Sequence, residues 1–124
     1  MLSNEKWVYP PVEVEIPLKS WQKLLLDAAD IIEKRGWTKG VFENDLGVCL
    51  IGALHLADNG NVKFTFKPRG FNYWWARHKL NHHIRSKLQW NFSFFPGLNC
   101  IKWNDNVAKG ADDVTRVLRT VGRA

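Results

Sequence analysis

The stretch "FNYWWARHKLNHHIRSKLQW", residues 71–90, places three histidines and four Lys or Arg residues among five aromatic residues, with no acidic residue. His78 and His82 are four residues apart, the spacing at which two imidazoles on one helix can bind the same metal ion. A zinc site needs further ligands, and neither a Cys-x-x-Cys pair nor a third suitably spaced ligand occurs here. His83 points about a hundred degrees away from His82 around a helix. We therefore predict no metal site and no cofactor.

The same residue types are suited to binding an anion or a protein surface. Indole rings stack on bases or fill interface pockets, and Lys and Arg pair with phosphates or carboxylates. Protonated histidines would add positive charge below about pH 6.5. The alternative is a solvated basic helix that binds no partner. The candidate binding residues predicted from this stretch are Trp75, Arg77, His78, Lys79, His82 and Arg85.

Positive charge is concentrated in the middle of the chain. The 124 residues carry a formal net charge of +6. Residues 59–104 contain eight Lys or Arg residues and no Asp or Glu, whereas residues 1–58 contain six bases and nine acids. A block of one sign creates a field that attracts phosphates, acidic protein surfaces or anionic small molecules. Residues 59–104 are therefore predicted to form a basic aromatic central segment.

The sequence carries no signature of catalysis, since it lacks a Gly-rich phosphate loop, a nucleophile elbow and a metalloprotease helix motif. We therefore expect a binding protein and not an enzyme. The first class of partner is a protein, for example a host or defence protein blocked by a small phage factor. The alternative is a nucleic acid or a small phosphorylated nucleotide. A homodimer through the surplus of aromatic residues stays open as well.

The elements that must position these residues are mainly helices. Apolar residues recur at helical spacing from Trp21 to Ile32, with Ser20 as the predicted N-cap. Gly36 follows the last turn, where a left-handed residue ends a helix. Trp37 is then predicted to fold back onto Ile32 as part of the helix stop.

Three further helices are predicted. The apolar run Val48–Ala57 indicates a buried helix in which His55 is a hydrogen-bonded core residue. Residues 112–121 carry a helical apolar stripe and form the closing helix. In the stretch that begins at residue 71, one apolar stripe is formed by Tyr73, Ala76, Leu80, Ile84 and Leu88.

Short β pieces and an extended arm complete the predicted fold. Turn residues in 38–49 favour two short strands, and the alternation in 62–67 fits an edge strand ended by Pro68. Residues 1–19, with three prolines, are predicted to be an extended N-terminal arm. The fold class is thus mainly α, a compact single domain over residues 20–124 with about four helices and one or two short β pieces.

The cysteines and the lengths of the apolar runs in the sequence indicate a cellular compartment. Cys49 and Cys100 lie among apolar neighbours, which predicts buried free thiols; a single disulfide between them is the alternative. No apolar run approaches the length of a membrane span, and the N-terminal residues lack an apolar signal core. We expect a protein of the bacterial cytoplasm without a membrane partner.

Three segments, "KRGWTKGVF", "GVCLIGAL" and "IKWNDN", carry a family resemblance. The sequence resembles an uncharacterised family of small actinobacterial and actinophage proteins, which share a helix ending in Gly-Trp, a Cys-x-x-Gly-Ala-Leu segment and a Trp-Asn-Asp before a closing helix. The match covers residues 20–57 and 101–121. It implies a small helical fold and a phage or bacterial context, without an assigned activity. The matching positions are Gly36, Trp37, Gly40, Cys49, Gly52, Ala53, Leu54, Trp103, Asn104 and Asp105.

The Trp-Asn-Asp segment has two interpretations. Asn and Asp side chains bond neighbouring backbone amides, so the segment predicts a turn into the closing helix, with Trp103 anchored in the core. Polar Asn104 and Asp105 beside a buried Trp could instead line a ligand site. The secondary candidate site therefore consists of Trp37, Trp103, Asn104 and Asp105.

Overall fold

The computed structural model of the chain describes residues 18–60, 70–90 and 99–124. The prediction of a mainly α fold with a short β piece is confirmed, and the described residues form five helices where about four were predicted. The predicted edge strand in 62–67 and residues 1–17 of the predicted arm lie outside the described residues. In chain order the elements are α1 (Ser20–Arg35), β1 (Glu43–Asn44), β2 (Gly47–Val48), α2 (Leu50–Asn59), α3 (Phe71–Ser86), α4 (Asn99–Asn106) and α5 (Ala111–Gly122).

Helix α1 is the centre of the core and packs against α5, α2 and α3. Its apolar stripe predicts this position, because Leu25, Ala28 and Ile32 are all buried. On α5, Val114 and Leu118 are completely buried. Burial of the two facing stripes supplies the hydrophobic stabilisation that holds these helices together. Among the described residues no helix is long and apolar enough to cross a membrane.

The two ends of α1 are set by local hydrogen bonds. Lys19, not Ser20 as predicted, is the N-cap, since Lys19 has an extended backbone and its amide donates to Gln22 Oε1 at 2.9 Å. A side-chain acceptor three residues after the cap fixes the first turn at this position. At the other end Gly36 has φ 90° and its amide donates to the Ile32 carbonyl at 2.8 Å. The predicted glycine stop is confirmed.

The antiparallel hairpin of β1 and β2 packs directly against this glycine. The pairs are Glu43 with Val48 and Asn44 with Gly47, which confirms the predicted strand pair. The Val48 amide donates to the Gly36 carbonyl at 3.1 Å. Gly47 has φ 149°, and a Cβ there would overlap the Gly36 carbonyl. Two glycines are therefore required for the hairpin and the end of α1 to meet.

Helix α2 begins two residues later than the predicted segment. Cys49 is its N-cap, and its sulfur accepts a hydrogen bond from the Gly52 amide at 3.3 Å. His55 is completely buried and lies 2.7 Å from the hydroxyl of Tyr73 on α3. The prediction of a hydrogen-bonded core histidine is confirmed.

Helix α3 presents the predicted apolar stripe to the core. Tyr73, Ala76, Leu80 and Ile84 are at most 1% exposed. Leu88 was expected to continue the stripe, but it is 41% exposed. The helix ends at Ser86, so Leu88 no longer follows helical periodicity.

The Trp-Asn-Asp segment lies inside α4 and not in the predicted turn. The turn prediction was wrong because Asn104 and Asp105 bond distant partners in place of their own neighbouring amides. Trp103 is 4% exposed, as expected for a core anchor.

Cys49 and Cys100 are free and buried, so the disulfide alternative is wrong. Burial raises the pKa of both thiols.

Candidate functional site

Five of the six predicted binding residues lie on one side of α3. Trp75 is 36% exposed, His78, His82 and Arg85 are exposed, and Lys79 is half-buried. Spacings of three and four residues place these side chains within about a third of the helix circumference. Together with the exposed Phe71 one turn earlier, they form what we term the basic aromatic face: Phe71, Trp75, His78, Lys79, His82 and Arg85.

Three rings stack along this face. The Phe71 and Trp75 centroids are 5.9 Å apart with an interplanar angle of 12°. The Trp75 and His78 centroids are 5.2 Å apart with an angle of 25°. Phe71 comes from the turn before Trp75 and His78 from the turn after it, so the indole lies between two rings. Trp75 is 36% exposed, so part of its side chain stays accessible to a partner.

Lys79 joins the basic aromatic face to α1. Its ammonium nitrogen is 5.2 Å from the centroid of Trp75 and 5.3 Å from that of Trp21. Both distances fall within the range of an attractive cation–π contact. The positive charge of Lys79 is thus held between two indole rings.

Arg77 lies apart from the other five predicted residues. It follows Trp75 by two positions, which places it about 200° around the helix. Its guanidinium carbon is 5.3 Å from the ring centroid of Trp74 and 5.9 Å from that of Tyr73. Arg77 also faces the buried thiol of Cys100, whose pKa is raised by burial and lowered to a lesser extent by this guanidinium. Arg77 therefore belongs to the other side of α3.

A groove of about 590 Å³ lies between the start of α1, the second half of α3 and the end of α5. Sequence reasoning missed the contribution of Lys19 and Trp21, because α1 is remote from α3 along the chain. Within the described part of the chain, no Asp or Glu side chain lines this groove. Partial burial, and then the nearby Lys87 and His82, lower the pKa of His83. The charged and titratable side chains of the groove are Lys19, Lys79, His82, His83 and Lys87.

The second candidate region is centred on the side-chain amide of Asn104, which is 1% exposed. Its Oδ1 accepts hydrogen bonds from Trp37 Nε1 at 2.8 Å and from the Leu50 amide at 3.1 Å. Its Nδ2 donates to the Thr38 carbonyl at 3.3 Å and to Asp105 Oδ1 at 3.1 Å. All four hydrogen-bonding positions of this amide are thus occupied. We term this group the Asn104 cluster: Trp37, Thr38, Gly40, Leu50, Asn104 and Asp105.

Three of the four residues predicted for the secondary site meet in this cluster. Trp103 does not, because it lines a separate cavity together with Trp90 and Val117.

A pocket of about 260 Å³ adjoins the cluster. Apolar residues from the loop after α1, from α2 and from α4 form most of its wall, and Cys49 and Asp105 add polar atoms. In the ranges that the structure describes, no three His, Cys, Asp or Glu residues come together as metal ligands.

These features define a small, mainly helical protein with a basic aromatic helix face and a separate, hydrogen-bonded pocket region. The chain belongs to the Family of unknown function (DUF6197), whose family model matches residues 18–124. That match spans all three described ranges. No curated protein and no solved structure matched the chain.

Proposed function

We propose that this is a non-enzymatic binding protein and that the basic aromatic face contacts a partner protein with an acidic surface. The observation that carries the proposal is the row of stacked rings on α3, flanked by cations and without an acidic side chain on that helix. We further propose that the protein is encoded by a phage or mobile element and modulates a host or defence protein.

The stacking geometry favours a protein partner over a nucleic acid. A base binds an indole face to face, which needs a free face. Phe71, His78 and the Lys79 ammonium already contact the Trp75 ring system, so a stacked base would compete with these contacts. Protein interfaces instead use contiguous aromatic surface with Arg at its margin. Phe71 is 76% exposed and Trp74 is 49% exposed, which extends the apolar part of the contact.

The charge pattern indicates the chemistry of the partner. Residues 59–104 contain eight Lys or Arg residues and no acid. His82 and Arg85 lie exposed on the same face as the stacked rings. Complementary charge on a partner accelerates association and suppresses contact with basic surfaces. An acidic protein surface therefore fits this face best.

The decisive experiment compares the parent with the double variant Trp75→Ala and Arg85→Glu. A partner is first captured from bacterial lysate with the tagged parent, after nuclease treatment, and affinity for the purified partner is then measured by calorimetry. We expect the double variant to lose at least about thirtyfold in affinity, as hot-spot removal does. Lys34→Glu, a charge reversal at an exposed position on α1, is the matched control and should leave affinity within about twofold.

Salt distinguishes the partner classes. Binding to nucleic acid weakens steeply and linearly in a log–log plot against salt concentration. A protein contact with an apolar centre should weaken much less. Undiminished binding by the double variant, or capture that disappears with nuclease, would overturn the proposal.

A second candidate function is the binding of a small phosphorylated ligand in the groove next to α1. The observation that favours it is the convergence of three lysines and two histidines with Trp21. Titration with pyrophosphate and with ADP tests it directly. Binding that Lys87→Glu abolishes, while Trp75→Ala with Arg85→Glu leaves it unchanged, would assign this function to the groove.

A further inference from the structure

The pocket beside the Asn104 cluster has the shape of a small-molecule site. It encloses about 260 Å³ between the loop after α1, the start of α2 and α4. Of the lining residues, Ile51 is 2% exposed, whereas Val41 and Phe42 are 50% and 37% exposed. Ile101 lines the pocket from α4. Apolar walls with a few placed polar groups are typical of ligand pockets.

The carboxylate of Asp105 is held in place through one of its two oxygens. Oδ1 accepts hydrogen bonds from the Gly40 amide at 2.9 Å and from Asn104 Nδ2 at 3.1 Å. Within the described part of the chain, Oδ2 accepts none. Asp105 lines the pocket, and none of the donors in the described ranges occupies its second carboxylate oxygen.

The start of α2 does not offer a competing anion site. A helix N-terminus binds anions through amide groups that have no partner within the helix. Here the Leu50 amide donates to Asn104 Oδ1 at 3.1 Å, the Gly52 amide donates to the sulfur of Cys49 at 3.3 Å, and the Ile51 amide also interacts with that sulfur. The polar end of the pocket is therefore dominated by the negative charge of Asp105, which favours a cation.

The pocket wall is fixed before any ligand arrives. The Cys49 amide donates to the Phe42 carbonyl at 3.1 Å, and Gly52 lies against the same carbonyl, where a Cβ would overlap it. The Gly40 bond to Asp105 holds the other end of the loop. A wall that is already ordered loses little conformational entropy on binding.

We propose that this pocket binds a small apolar molecule that carries a primary ammonium group, with the ammonium paired to Asp105 and the carbon chain against Val41, Phe42, Ile51 and Ile101. The site shares no residue with the basic aromatic face and does not depend on the function proposed for that face.

Hexylamine is the probe, and hexanol and hexanoate are its matched controls with the same chain. Binding is followed by the amide resonances of Gly40 and Ile51 and by the rate at which iodoacetamide alkylates Cys49, which is 7% exposed at the pocket wall. Cys100 is completely buried outside the pocket and serves as the internal reference for unfolding. We expect hexylamine to slow alkylation of Cys49 and to bind at least about tenfold more tightly than hexanol, as a charge-assisted hydrogen bond provides. Hexanoate should bind more weakly than either.

Asp105→Asn tests the counter-ion, because Asn keeps the size of the side chain and an oxygen for the Gly40 amide. In this variant hexylamine should bind no better than hexanol. Equal affinity of the parent protein for hexylamine and hexanol would overturn the proposal, as would no protection of Cys49 up to the solubility limit of hexylamine. Both results are obtained on the parent protein, so they hold even where the variant fails to fold.

Discussion

The Asn104 cluster and the basic aromatic face are built from the same kinds of residue, tryptophan beside polar or charged side chains, but they use them differently. In the cluster, all four hydrogen-bonding positions of the Asn104 amide are occupied by other parts of the fold. On the face, the two rings that stack with Trp75 in the described ranges, Phe71 and His78, both belong to α3, and Arg85 is exposed. In the Asn104 cluster, the polar residues beside tryptophan therefore serve the fold itself, because their hydrogen bonds are made within the protein.

The largest effect on the free energy of unfolding is expected from Asn104→Ala. The change leaves Trp37 Nε1, the Leu50 amide and the Thr38 carbonyl without their partner. Each buried group that loses its hydrogen bond costs about 1–3 kcal/mol, so the free energy of unfolding should fall by roughly 3–9 kcal/mol for the three groups. Urea unfolding measures it, with Asn106→Ala at an exposed position on α4 as the control. A fall below about 1 kcal/mol would show that the cluster contributes little to stability.

The inner face of α3 provides the next largest effect. Leu80 and Ile84 are completely buried, so replacing either by Ala should lower the free energy of unfolding by about 2–5 kcal/mol, as cavity-forming changes do. His82→Ala on the opposite side should change it by less than about 0.5 kcal/mol. Losses below about 1 kcal/mol for both core variants would contradict the assigned orientation of the helix.

Stability should respond weakly to changes on the basic aromatic face itself. Trp75→Ala with Arg85→Glu removes partly exposed ring contacts and one exposed charge. We expect the free energy of unfolding to fall by less than about 1 kcal/mol, which thermal and urea unfolding can resolve. A variant that melts far below the parent would place Trp75 among the structural residues and remove the contrast between the two regions.

The smallest effect on stability is expected from a change of pH. Burial, with Lys87 and His82 nearby, lowers the pKa of His83 in the folded state. The unfolded chain therefore binds a proton more readily than the folded protein, and stability falls as the pH drops below the ordinary histidine pKa of about 6.5. His83→Gln should flatten this part of the stability profile, whereas His78→Gln at an exposed position serves as the control. A profile identical to that of the parent would contradict the assignment to His83.

Features that depend on spacing within one segment could be predicted from the sequence. The stripe of α1, its stop at Gly36 and the buried side of α3 each follow from residues three or four positions apart. The buried, hydrogen-bonded state of His55 also follows from its apolar neighbours. In each case the local pattern and the tertiary structure agree.

Features that depend on distant partners could not be predicted. Asn104 was assigned to a turn because its side chain often bonds nearby amides, but its acceptor atom bonds groups 67 and 54 residues away. The pocket wall likewise joins the loop at Val41 to Ile101 on α4. The groove beside α3 required Lys19 and Trp21 from α1. The spacing of residues within a single segment gives no indication of these long-range contacts.

The packing of α5 on α1 sets an order on folding. Arg119 on α5 pairs with Asp30 and Glu33 on α1, which are 89 and 86 residues away, and Gln22 Nε2 donates to the Ala124 carbonyl across 102 residues. Contacts of such separation slow folding relative to a bundle of sequential neighbours. During synthesis the apolar stripe of α1 leaves the ribosome well before α5 can cover it. The part of the α1 stripe that packs against α5 therefore stays exposed in the nascent chain until α5 has been synthesised.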